Sequence, residues 1–85
     1  LDTKFHSLLN DQVRSELGAS QQYLAIAVYF DSADLPQLAK LFYRQSVEER
    51  NHALMFVQYL IDRGVQTEIP ALEPVRNAFE TPRDA

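Results

Sequence analysis

The sequence predicts an all-α fold: a long antiparallel two-helix hairpin, half of a four-helix bundle, followed by an extended C-terminal segment. Three observations predict it. Apolar residues recur at spacings of three and four through two long segments, the period of a helix with a buried face. A short run of turn residues at 31–36 separates them, and so brief a break implies an antiparallel return. Each segment also carries more than one apolar stripe, which marks helices covered on several sides.

The first helix is predicted from about residue 3 to 31. Its apolar positions are Phe5, Leu8, Leu9, Val13, Leu17, Leu24, Ile26, Val28 and Phe30. Gly18 lies inside it and weakens it by about 1 kcal/mol relative to Ala; it is read as the mark of a close helix–helix approach. In the break, Asp34 is expected to cap the second helix, with Pro36 in its first turn. That helix is predicted from about 35 to 63, with Gly64 as its terminator. Residues 64–85 are predicted as a crossover segment. Residues 65–70 read as extended chain, and 72–79 are irregular or at most a short helical turn. Thr81-Pro82-Arg83-Asp84 has the pattern of a helix start, so a continuing molecule is expected. The first residue is Leu1, not Met, so a natural start is expected to have been removed or left out.

Composition narrows the function. With 85 residues the chain is at most one small domain. A hydrophobic content of 46% is that of a folded protein. No cysteine is present, which excludes disulfides, thiolate zinc sites and iron–sulfur clusters, and suits a reducing cytoplasm. A net charge of −4 disfavours nucleic acid and favours cations. No apolar run is long enough to span a bilayer, and no signal peptide pattern occurs.

The most informative stretch is 42–56, which no Gly or Pro interrupts. One face of the second helix reads Leu38, Phe42, Gln45, Glu49, His52, Phe56, Tyr59. Glu-x-x-His places a carboxylate and an imidazole about one turn apart, between aromatic residues. A buried, unpaired carboxylate is costly, and a metal cation would offset that cost. On the first helix Leu9, Glu16, Tyr23 and Phe30 are seven apart. With the turn centred near Ala33, Glu16 lies 17 residues before it, and Glu49 and His52 lie 16 and 19 after it. At equal rise per residue the three sit level. One hairpin thus offers half of the ligand set of a di-iron carboxylate bundle, with Fe, Mn and Zn as the suited metals. The competing reading is a Glu–His pair that only fixes register. Tyr23 is equally a core aromatic or a neighbour of the centre. Gln45 either hydrogen-bonds a ligand carboxylate or is tolerated at the edge. Glu48 reads as a solvated acid and His6 as a surface residue.

Three stretches carry a resemblance: Gln21-Gln22-Tyr23-Leu24-Ala25-Ile26-Ala27-Val28-Tyr29-Phe30, Leu35-Pro36-Gln37-Leu38-Ala39-Lys40, and Glu48-Glu49-Arg50-Asn51-His52-Ala53. They closely resemble bacterial non-haem ferritins, the actinobacterial branch most strongly. The likeness covers essentially all 85 residues but only the first half of a ferritin subunit: helices A and B, their turn, and the crossover loop. The resemblance implies a ferritin-like four-helix bundle whose helices C and D lie outside this chain. It implies that Glu16, Glu49 and His52 bind the first iron of a ferroxidase centre, with Glu49 bridging to the second. Tyr23 would stand beside that centre, and Glu48 would serve a third, nearby iron site. The remaining ligands would come from the missing helices. Related bacterioferritins carry a haem-ligating Met directly after the bridging Glu; Arg50 stands there, which implies no haem.

The function implied is iron storage with oxidation of Fe(II) by O2 or peroxide, in a cytoplasmic homo-oligomeric cage, the missing helices coming from the same or a partner polypeptide. The dimer contact would use the outer faces of the two helices and residues 65–69. Two other readings remain at this point: a hairpin that self-associates around a structural or symmetric di-metal site, and a metal-free helical interaction module.

Overall fold

The protein is described from a computed structural model, over residues 3–85. Helix α1 spans Thr3–Ser32, helix α2 spans Pro36–Asp62, and a 3-10 turn covers Pro82–Asp84. The body measures 50 × 20 × 15 Å, about the length of the longer helix. No strand occurs among the described residues.

The two helices meet along a seam of mostly small side chains. Val13, Ser20 and Ala27 on α1, and Ala39, Ser46, Ala53 and Leu60 on α2, are buried, and each set repeats every seven residues. Such a repeat keeps one stripe facing its partner. Small residues there let the backbones approach closely. At the midpoint Ser20 Oγ donates to the Ser46 carbonyl at 2.8 Å, and Ser46 Oγ donates to the Ser20 carbonyl at 2.8 Å. The aromatic and charged face of α2 is not the contact between these two helices. Leu38 and His52 are exposed, and Phe42, Gln45, Glu49, Phe56 and Tyr59 are only half-buried. They flank the contact seam, on the side that two helices alone cannot cover.

Gly18 does not mark a close approach: a Cβ placed there would meet nothing within 4 Å. Asp34 does not cap α2 either. It closes α1 in the left-handed conformation, φ 58°. Leu35 N–H reaches the Phe30 carbonyl at 2.9 Å and Asp34 N–H reaches that of Asp31 at 3.3 Å, the paired bonds of a Schellman ending. Leu35 becomes the N-cap of α2, with Pro36 opening the helix. Beside the turn, Tyr43 Oη donates to Asp31 Oδ2 at 2.9 Å, and that bond raises the tyrosine's pKa. The same ending recurs at Gly64, φ 72°, with Val65 N–H to the Leu60 carbonyl and Gly64 N–H to that of Ile61, both at 3.0 Å. Here glycine adopts the left-handed conformation without strain.

The main buried cluster lies at the turn end: Ile26, Phe30 and Ala39, packed by Tyr23, Tyr29, Leu35, Phe42, Tyr43, Phe79 and Ala85. Residues 65–79 hold no regular structure and run beside α1 toward the turn. The Gln22 amide clamps residue 76 from both sides, with Nε2 to the Arg76 carbonyl and Arg76 N–H to Oε1, each 2.9 Å. Phe79 then packs its ring against that of Tyr29, tilted 59° with centroids 5.1 Å apart. Thr81-Pro82 opens one 3-10 turn, in which the Thr81 N–H donates to the Asp84 carboxylate at 3.3 Å. Leu24, Val28, Val47, Leu54 and Ile61 remain exposed on the outer stripe.

Candidate metal centre

Glu16 comes from the middle of α1, and Glu49 and His52 from successive turns of α2. Packing through Ser20 and Ser46 brings the helices close one turn away from each carboxylate. One ligand atom from each of the three residues then lies within 4.8 Å of the other two. His52 Nδ1 stands 3.7 Å from Glu16 Oε2 and 3.7 Å from Glu49 Oε2. This is the only such group of donors among the described residues.

The carboxylates are largely sheltered, with side chains 16% and 17% exposed, whereas the imidazole is 54% exposed. The expected dry interior is therefore half formed. The physical reason is the number of layers: a hairpin shields a residue between its helices but has nothing to lay over the flank. Two carboxylates this close repel unless a proton or cation lies between them. The adjoining Glu16 carboxyl, with which a proton can be shared, is the main cause that holds the Glu49 pKa below the usual carboxylate range; desolvation opposes it, and Gln45 and the neighbouring His52 act in the same direction as Glu16.

The donor set suits a first-row cation. Two carboxylate oxygens and one imidazole nitrogen match Fe, Mn or Zn. Two donors bound to one such cation at about 2.0–2.2 Å can stand at most about 4.4 Å apart, and the 3.7 Å separations meet that limit. Three donors leave further positions for ligands from elsewhere.

The other predicted residues are spread along the two helices. Tyr23 is half-buried one side of it, its ring 5.9 Å from that of Phe42. Gln45 Nε2 donates to Glu49 Oε1 at 3.3 Å. Glu48 is exposed and does not join the cluster. Arg50 is exposed on another face, in a groove with Leu17, Gln21 and Leu54. His6 is half-buried rather than fully at the surface, its ring 6.2 Å from that of Phe5. Gln12, which the sequence reading passed over, donates to Glu16 Oε1 at 2.9 Å. Its signal was available: Gln12 stands four before Glu16, as Gln45 stands four before Glu49.

Comparison with known proteins agrees with this architecture. The family model described as Ferritin-like domain matches residues 6–85. Ferritin BfrB of Mycolicibacterium smegmatis is 71% identical over 85 residues, covering 100% of this chain and 47% of that protein. Ferritin BfrB of Mycobacterium tuberculosis is 63% identical over 83 residues, covering 98% and 46%. Among solved structures, an open-pore ferritin from the archaeon Archaeoglobus fulgidus superposes with a TM-score of 0.89 at 27% identity, over 99% of this chain and 51% of that one. The chain spans about half the length of the curated relatives it matches. It belongs to the ferritin family, as the N-terminal half of a bacterial ferritin subunit.

Proposed function

We propose that this chain serves iron storage as part of a ferritin subunit, and that Glu16, Glu49 and His52 hold the first Fe(II) of an oxidation centre. The observation that carries this reading is the convergence of three donors from two helices within 4.8 Å, in a chain of the ferritin family. Iron is substrate and cargo here. Glu49 is assigned as the ligand shared with a second iron, whose other ligands come from outside these residues. Tyr23 is assigned beside the centre and Glu48 to a nearby third site. The assembly is a homo-oligomeric cage, or a complex with a partner that supplies the other two helices of the bundle, in the cytoplasm.

The chemistry follows from the donors. Anionic oxygen ligands favour Fe(III) over Fe(II) and lower the potential. Two Fe(II) each give one electron to O2, which takes two protons and leaves as hydrogen peroxide. With peroxide as oxidant, the same two electrons and two protons yield two waters. The acidic surface, net −4, draws Fe(II) in.

Addition of Fe(II) without oxygen, then air, tests the reading through the rate of Fe(III) formation. Glu49→Ala and His52→Ala should each slow the protein-dependent rate at least about tenfold. Unchanged rates in both variants would refute it. The uncovered flank favours one competing reading, two hairpins closing on a symmetric metal pair. A solution mass that doubles on adding Fe(II), without turnover, would support that instead.

A further inference from the structure

Each carboxylate of the cluster is held from behind in the same way. On α1, Gln12 Nε2 donates to Glu16 Oε1 at 2.9 Å. On α2, Gln45 Nε2 donates to Glu49 Oε1 at 3.3 Å. Both contacts link residues four apart, with the amide one turn toward the helix N-terminus. The other two oxygens, Glu16 Oε2 and Glu49 Oε2, each stand 3.7 Å from a single atom, His52 Nδ1. An ionised carboxylate can only accept, so each amide must present its NH2 group.

A glutamine that donates to a carboxylate one turn on is by itself an ordinary helix-surface contact. Gln58 makes one to Asp62 at 2.8 Å, where no third donor group converges. Gln12 and Gln45 differ in what their contacts achieve. One oxygen of each carboxylate is occupied, and the other is left at the point where donors from two helices meet. An untethered Glu side chain loses more rotamer freedom on binding a cation and can offer both oxygens. A tethered one is already ordered and offers the first cation one oxygen, while the hydrogen-bonded oxygen keeps a second lone pair for another cation.

We propose that Gln12 and Gln45 are a matched pair of positioning residues that hold Glu16 and Glu49 as one-oxygen ligands of the first cation. The inference rests on the metal reading above and adds a selectivity to it. Calcium takes six to eight oxygens and readily accepts both oxygens of a carboxylate. First-row cations are satisfied by fewer donors, imidazole among them. Tethering the outer oxygens therefore discriminates against calcium as well as strengthening the bond to a small cation.

The test titrates Co(II) and Ca(II) separately into the wild-type chain and its variants, with the visible spectrum of bound Co(II) as a report on coordination number. Gln12→Met and Gln45→Met keep length and helix propensity but remove the donor. Circular dichroism and urea unfolding verify that the helices persist. Each substitution should weaken Co(II) binding about tenfold, the double variant more. The ratio of Co(II) to Ca(II) affinity should fall, and the band per bound Co(II) should weaken as outer oxygens join the metal. Gln58→Met should change none of these. Met variants with wild-type affinity, ratio and spectrum overturn the pair and leave the metal reading standing. So does an equal loss in Gln58→Met, which would reduce the effect to a general helix contribution. A wild-type chain that binds no Co(II), or whose binding survives Glu49→Ala, overturns the metal reading and this inference with it.

Discussion

Substituting Ser46 by leucine should take the metal cluster apart without touching a ligand. Ser46 is 8% exposed and faces Ser20 so closely that each hydroxyl reaches the opposite backbone carbonyl at 2.8 Å. An isobutyl group has no room there. Packed helices lie about 8–10 Å apart depending on the side chains at the contact, so the exchange should widen the pair by roughly 1–2 Å. Glu16 lies one turn before Ser20, and Glu49 one turn after Ser46. His52 Nδ1 and Glu16 Oε2, now 3.7 Å apart, would move beyond the limit of about 4.4 Å for two donors on one cation. Glu49 and His52 share a helix and stay together, so a two-donor site remains. Co(II) affinity should fall at least about tenfold. Overpacking should also cost about 1–3 kcal/mol of stability. Ser46→Ala is the control: it removes a hydroxyl, costs about 1 kcal/mol, and leaves the spacing and the metal affinity in place. Co(II) titration with urea unfolding of both variants decides the matter. Wild-type affinity in Ser46→Leu, or an equal loss in Ser46→Ala, would show that seam spacing does not set the site.

Three further outcomes are expected. Gly18→Ala should raise stability by about 1 kcal/mol, since the added methyl meets nothing and the helix gains propensity; an unchanged or lower urea midpoint would contradict this. Gln22→Met removes both bonds to residue 76, so limited proteolysis should cut within 65–79 faster while helical ellipticity holds; equal cutting rates would count against the clamp. Glu49 has a lowered pKa in the fold, so the folded state binds that proton more weakly than the unfolded chain. Its stabilising contribution is present above the usual carboxylate range and is lost as pH falls through the folded pKa. Wild type should therefore lose more stability than Glu49→Gln on acidification through that range, and parallel stability profiles would reject the assignment.

Much of the fold was legible because it depends on local periodicity. Spacings of three and four announce helices whatever packs on them, and glycine at position 64 ends α2 through its own backbone freedom. The turn was less legible. Asp34 is chemically as good a cap as a left-handed residue, and only the course of the chain into Leu35 and Pro36 decides between the two roles. Gly18 misled for a related reason: a missing side chain is compatible with close approach but does not cause it. The level placement of Glu16 with Glu49 and His52 followed from counting residues on either side of the turn, since both helices rise equally per residue. Gln12 was missed because a polar residue four before an acid is common on helix surfaces.

The order of residues along the chain by itself determined the two helices, the antiparallel return and the height of each ionisable group, because these depend only on rise and period. Tertiary structure decided which stripe makes contact. The aromatic and charged face is not the contact between these two helices: the small residues Ser20, Ala27, Ala39, Ser46 and Ala53 are buried instead, because only small side chains let each serine hydroxyl reach the backbone carbonyl of the opposite helix. That close approach turns the other face into a flank, where Glu16 and Glu49 are sheltered and His52 stays open. Burial is a property of how many layers surround a residue, and no periodicity within one helix encodes it.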